Sequence, residues 1–188
     1  MTQNSSKLLK FIIMPVPVVL FIALIAGCGY TTRSMISNKY KTIYITPFIN
    51  KIDITSDADT GNRYRLYYPR LETDVTRSVI NKFLFDGNLK PVKEQTADLV
   101  LKGEVTAFRK DPVSYNADDD VTEYRISVQV NISLWDVKEK KLLWQENNFT
   151  GEKAYFTTGS LAISEGTAVN DTIADLSRRI VERAVEQW

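Results

Sequence analysis

Residues 122–135 read Thr122-Glu123-Tyr124-Arg125-Ile126-Ser127-Val128-Gln129-Val130-Asn131-Ile132-Ser133-Leu134-Trp135, and their alternation decides the fold. Tyr124, Ile126, Val128, Val130, Ile132 and Leu134 fall on one side of an extended chain. Arg125, Ser127, Gln129, Asn131, Ser133 and Trp135 fall on the other. A period of two held this long, rich in β-branched residues, is a central strand with one face buried and one open. The rest of the chain must supply neighbours for its edges and a cover for its apolar face.

The neighbours lie on both sides. Lys138 to Lys141 is a charged turn, and Leu142 to Thr150, running on towards Phe156, returns as the partner strand of a hairpin or meander. Upstream, Ala97 to Phe108 sets Leu99, Leu101, Val105 and Ala107 against Lys102, Glu104 and Thr106. Between these strands Arg109 to Asp120 carries Pro112 and the run Asp118, Asp119, Asp120, which predicts a loop with a solvated acidic tip and not a metal site. In Lys41 to Ile49 the residues Ile43, Ile45 and Ile49 alternate with Thr42, Tyr44, Thr46 and Phe48. Pro47 makes this an edge strand or marks its end. Leu89 to Val92 suits a further short strand.

The cover comes from two helices. After Pro69, suited to a first helical turn, Leu71, Val75, Val79 and Phe83 recur at helical spacing, widened by Ile80 and Leu84, and Gly87 offers a left-handed stop. From about Gly159 or Ser160, Val169, Ile173, Leu176, Ile180 and Ala184 form a second stripe. The expected fold is α+β: a two-layer sandwich with both amphipathic helices on one face of a mostly antiparallel sheet of about four strands. Its core pairs Ile126, Val128, Val130 and Ile132 with Val75, Val79, Ile173, Leu176 and Ile180. The polar stretch from Asn50 to Tyr67 reads as an exposed loop; Asp57, Asp59 and Gly61 open like a calcium loop, but Tyr68 stands where the bidentate Glu belongs.

At the other end of the chain, Lys7 and Lys10 precede an apolar run from Phe11 to Ala26 that is broken by Pro15 and Pro17 and ends in Ile25-Ala26-Gly27-Cys28. This is a lipobox: residues 1–27 are expected to be a lipoprotein signal peptide, with Cys28 lipidated as the first mature residue. Cys28 is the single cysteine, so no disulfide framework claims it. Residues 28–39 are the expected lipidated tether and 40–188 one folded domain. Gly29, where Asp would signal inner-membrane retention in many bacteria, favours the outer membrane. Removing the leader takes two lysines from 24 basic and 23 acidic residues, leaving 22 and 23, which gives no sign of a nucleic-acid partner. Histidine is absent. With Cys28 committed to lipid, no Ser-His-Asp, Cys-His or thiolate-zinc site can be built, so neither catalysis, nor a metal, nor a cofactor is expected.

The open face carries Tyr44, Phe48, Thr106, Phe108, Ser127, Gln129, Asn131, Ser133 and Trp135. Small polar groups, amides and aromatics suit either an ordinary wetted sheet or a surface that meets a polar partner without burying charge.

The lipobox with Cys28-Gly29-Tyr30, the strand and helix that follow, Glu123-Tyr124 running into a long strand with Val130-Asn131 near its middle, and the final helix together resemble the LptE family of lipopolysaccharide-assembly lipoproteins. The resemblance implies an outer-membrane lipoprotein on the periplasmic side that plugs and helps assemble an LptD-like β-barrel and assists lipopolysaccharide delivery to the outer leaflet. The partner-facing sheet would then be Ser127, Gln129, Asn131, Ser133 and Trp135. Arg109 and Lys110, expected together at a strand end, would be candidates for lipid phosphates. The loop from Asn50 to Tyr67 is long for the family, and Leu161 to Glu165 lacks the lysine that some members carry there. The alternative is an anchored periplasmic binding or structural lipoprotein, holding a small ligand between helix and sheet or joining another envelope partner.

Overall fold

The computed structural model describes residues 39–52 and 68–185. The chain divides into Met1–Arg33 and Ser34–Trp188, and every described residue lies in the second unit. Cys28, the lipobox and residues 53–67 of the polar connection lie outside the described residues.

The elements in order are β1 (Thr42–Ile45), β2 (Ile49–Asn50), α1 (Leu71–Asp86), β3 (Lys90–Pro91), a turn of 3-10 helix (Glu94–Thr96), β4 (Leu99–Tyr115), β5 (Val121–Asp136), β6 (Lys141–Phe156) and α2 (Glu165–Val185). They form one six-stranded sheet in the order β3-β1-β4-β5-β6, with β2 also paired to β4. Strands β4, β5 and β6 are antiparallel neighbours. β1 runs parallel to both β3 and β4, and β2 is parallel to β4. The expectation of about four mostly antiparallel strands is thus corrected to a mixed sheet of six. The chain leaves β1, crosses over through α1 and comes back as β3, and such a crossover makes the two strands parallel. Periodicity reports which face a side chain takes, not the direction of the neighbouring strand.

Pro47 acts as expected and ends β1. The chain then resumes pairing with β4 two steps on, where Ile49 lies opposite Glu104 and Asn50 opposite Val105. The break reverses the side-chain phase: Phe48 is 3% exposed and Ile49 is 55% exposed. Phe48 packs over Gly103 of β4, whose missing Cβ leaves room for its ring.

The helices cover one face. Leu71, Val75, Val79 and Phe83 of α1 and Val169, Ile173, Leu176 and Ile180 of α2 are buried against Ile126, Val128, Val130 and Ile132, in one apolar cluster. Leu84, expected to widen the α1 stripe, is exposed. Gly87 caps α1 in the left-handed conformation, its N–H donating to the Phe83 carbonyl at 3.1 Å. α2 starts later than its stripe suggested: Phe156 bridges Ala162 and its carbonyl accepts from Ile163, so the chain is still extended there. Ser164 then caps the helix, its Oγ accepting from the Thr167 N–H at 3.1 Å.

Helix and sheet come into close contact at Gly151 of β6. A Cβ there would lie 2.5 Å from Leu176 Cβ and 2.7 Å from Leu176 Cα, inside van der Waals contact and against backbone. Gly151→Ala must therefore push α2 off the sheet. Overpacking of this kind costs about 1–3 kcal/mol, and urea unfolding is expected to show a correspondingly lowered midpoint. Gly87→Ala, which meets no atom within 4 Å, tests backbone strain alone because its φ is 76°.

Candidate functional site: the open sheet face and its two ends

β5 presents Ser127, Gln129, Asn131, Ser133 and Trp135 away from the helices, since their alternates Ile126, Val128, Val130, Ile132 and Leu134 are buried beneath α1 and α2. Register supplies the neighbours: Arg109 lies opposite Ser127, Ala107 opposite Gln129, Glu104 opposite Asn131 and Lys102 opposite Ser133. From the other side Glu152, Thr150 and Gln145 flank Ser127, Gln129 and Ser133. The face is thus polar but carries more charge than β5 alone suggested, because adjacent strands contribute Lys102, Glu104, Arg109 and Glu152.

Several of these groups are already engaged. The Trp135 indole N–H donates to Ser133 Oγ at 3.0 Å, and the Lys102 ammonium stands 5.2 Å from the Trp135 ring centroid. Asn131 Oδ1 accepts the backbone N–H of Asn148 at 3.0 Å. Asn148 has φ 55° and sits in a bulge where pairing jumps from Val130–Phe149 to Ile132–Glu146. Asn131 therefore satisfies a donor that the bulge would otherwise leave unpaired. A shallow groove of about 400 Å³ crosses this face beside the Pro47 break, lined by Thr46, Lys102, Glu104, Asn131, Ser133 and Gln145 among others.

Two aromatics expected on this face belong to the core. Phe48 turned inward at the Pro47 break, and Phe108 is 1% exposed. A bulge between Val105 and Ala107 inserts Thr106 and shifts the phase of the residues that follow, as far as Pro112, by one. It also corrects the placement of Arg109 and Lys110. They are not at a strand end, because β4 continues to Tyr115 through Pro112. Nor do they form a pair on one surface. Arg109 points to the open face beside Ser127, which is 9% exposed, and its buried Nε has no hydrogen-bond partner. Lys110 points to the helix side, where its ammonium meets Glu165 of α2 at 2.5 Å and lies 4.4 Å from the Tyr124 ring centroid. Burial is the largest single effect and opposes its charge, but the hydrogen bonds and charges of Glu165 and Tyr155 together outweigh it and the Lys110 pKa is raised.

At the hairpin tip, Asn116 Oδ1 accepts the N–H groups of Asp118 and Asp120, at 3.0 and 2.8 Å. The acidic run is a turn, as its composition suggested. Among the described residues no group of His, Cys, Asp and Glu side chains is arranged to hold a metal ion, and no helix is long and apolar enough to cross a membrane.

The opposite end of the sheet fixes the point where the chain enters from residue 38. The Tyr40 hydroxyl donates to Asp136 Oδ2 at 2.7 Å, and Asp136 is 1% exposed. Lys39 pairs with Glu139 at 2.6 Å and with Asp136 at 3.3 Å. Asp98 Oδ2 accepts from the Lys41 and Thr42 N–H groups and the Thr42 hydroxyl, and Lys138 pairs with its other oxygen at 3.0 Å. Sequence reading missed this clamp, because its members lie up to 100 residues apart. The Lys41 N–H, with Lys138 and Thr42 adding to it against the opposing effect of burial, lowers the Asp98 pKa from an ordinary 3.8 to about 2.

The sequence model of the LptE family, described as lipopolysaccharide-assembly, matches residues 40–187. No curated protein matches the chain significantly. Among solved structures, protein XCC0632 from Xanthomonas campestris superposes with a TM-score of 0.55 at 12% identity, over 79% of this chain and 88% of that one. This likeness shows the fold. Lipoprotein GNA1162 from Neisseria meningitidis aligns with TM-score 0.41 and 12% identity, over 78% of this chain and 99% of that one. The rare lipoprotein B from Shewanella oneidensis gives TM-score 0.41 and 13% identity, over 75% and 92%.

Two predictions follow from this geometry. A carboxyl with a lowered folded-state pKa stabilises the fold above its unfolded value and loses that contribution as pH falls through the folded one. Unfolding midpoints of the wild type should therefore drop between about pH 4 and pH 2, and Asp98→Asn should flatten the profile in that window while lowering the midpoint at neutral pH. Lys110→Glu, which sets two carboxylates against each other at the start of α2, should lower the urea midpoint.

Proposed function

Because the chain belongs to the LptE family of lipopolysaccharide-assembly proteins, we propose that it is an outer-membrane lipoprotein, lipidated at Cys28, that seats its open sheet face in the lumen of an LptD-like β-barrel. There it plugs and helps assemble the barrel and assists lipopolysaccharide delivery to the outer leaflet. The observation that carries this reading is the contrast between the two sheet faces. The apolar face is filled by α1 and α2, with Phe83, Leu176 and Ile180 wholly buried. The other face is a continuous polar surface from Arg109 and Ser127 to Ser133 and Trp135. A partner with a polar, water-lined wall can meet such a surface without stripping charge from water. Arg109 lies at the same surface opposite Ser127, and its guanidinium carries the permanent charge and paired donors that a lipid phosphate takes.

No specific observation favours the rival, a small ligand held between helix and sheet, since that interface is filled by apolar side chains. The function requires no catalytic group, and the family is one of assembly lipoproteins.

The test is to isolate the acylated full chain from envelopes in mild detergent. It should come out with an integral β-barrel, and Gln129→Arg with Ser133→Arg should lose the barrel while keeping the wild-type urea midpoint. Recovery of the wild-type chain alone would overturn the plug. Cys28→Ala should leave a folded protein no longer held by lipid, read by fractionation, because each buried methylene of an acyl chain contributes about 0.8 kcal/mol to anchoring. Arg109→Glu should weaken lipopolysaccharide binding at low salt; equal binding by wild type and variant would remove Arg109 from the proposal.

A further inference from the structure

The sheet order leaves β6 as an edge strand of 16 residues, long enough to template pairing with another chain. Its most regular stretch, Phe149 to Phe156, follows the Asn148 bulge and pairs without interruption to β5. Within it Gly151 lies opposite Val128. In an antiparallel ladder the polar groups of successive residues point to alternate sides. The outward groups on either side of Gly151 are not bare. The Thr150 carbonyl accepts from Arg179 Nη1 at 2.5 Å, and the Glu152 N–H donates to Asp175 Oδ2 at 3.3 Å.

A neighbouring strand would present one N–H and one carbonyl to this same pair of groups. Asp175 and Arg179, one helical turn apart on α2, present one acceptor and one donor instead. Their placement follows from the Gly151 contact. With no Cβ beneath it, the α2 backbone at Leu176 comes down onto β6, and the residues before and after reach the strand's outer edge. The two side chains are themselves held. Arg178 binds the other oxygen of Asp175 at 2.7 Å, Arg179 lies 4.0 Å from Asp175 Oδ2, and the Arg179 guanidinium sits 5.5 Å from the Phe149 ring centroid. Further along, the Phe156 carbonyl accepts from Ile163, which closes that end.

We propose that Asp175 and Arg179 substitute for an absent neighbouring strand at the edge of β6 and thereby prevent a second copy of this chain from pairing there. The natural intruder is β6 itself, because antiparallel pairing of one strand with its own copy is a closed two-fold contact that needs no other partner. Association through the open face is untouched by this device.

The full chain in detergent micelles tests it. In the wild type, light scattering should give one protein per complex across the concentration range. The Glu152 amide, although at a sheet edge, should exchange with solvent at least about tenfold more slowly than an unstructured amide. Asp175→Arg with Arg179→Asp keeps opposite charges at the two positions and leaves Arg178 its partner Glu182, but position 175 can no longer accept and position 179 can no longer donate to the strand. This variant should show roughly doubled mass as concentration rises, with the Glu152 amide fast when dilute and slow when paired. A swapped variant that stays monomeric with wild-type Glu152 exchange would overturn the proposal. So would a wild-type Glu152 amide exchanging at the unstructured rate, a result that stands whether or not the variant folds.

Discussion

The contact between Gly151 and the backbone of α2 at Leu176 is the constraint on which the architecture rests. It fixes the distance between helix and sheet at a value only glycine allows. The consequences extend along both elements. Lys153 pairs with Asp171 on one side of the contact and Arg183 with Glu146 on the other, while Arg183 also packs 4.8 Å from the Trp144 ring centroid. These exposed or half-exposed pairs contribute little energy each. They register α2 along β6, and the apolar stripe beneath it supplies the stability.

Three irregularities then decide what the open face is. The Pro47 break turns Phe48 inward, the Thr106 bulge turns Phe108 inward and Arg109 outward, and the Asn148 bulge commits Asn131 to the backbone. Bulges re-aim whole strand segments by one residue, and one residue exchanges the two faces of a sheet. The polar surface offered to a partner is thus a product of strand defects as much as of composition. The outer edge of β4 carries a separate interruption: beyond Val105 it has no neighbour from β2, and Pro112, which has no N–H, falls in that stretch.

The clamp at the entry end has a complementary role. Tyr40, Thr42 and the Lys41 N–H are tied to Asp98, which immediately precedes β4, and to Asp136, the last residue of β5. A strand of four residues is thereby held between the two-residue β3 and the 17-residue β4.

The sequence by itself determined the existence of the two helices and the three long strands, although Arg109 to Tyr115, read as loop, belong to β4. Val75, Val79, Ile173, Leu176 and Ile180 recur at the helical period and Ile126 to Leu134 at the strand period, and all of them are buried as that pattern requires. Periodicity is local, and burial follows from it wherever an element is regular. It also held the family resemblance, through the long alternating strand and the order of elements, which the match over residues 40–187 supports. Only the tertiary structure decided the parallel placement of β1, β2 and β3, the inward turn of Phe48 and Phe108, and the separation of Arg109 from Lys110 onto opposite faces. It alone assembled Asp98, Asp136, Lys39 and Tyr40 into one clamp. Each of these depends on which residues face one another across strands or across long stretches of chain. A one-residue bulge, invisible in composition, is enough to exchange a core side chain for a surface one.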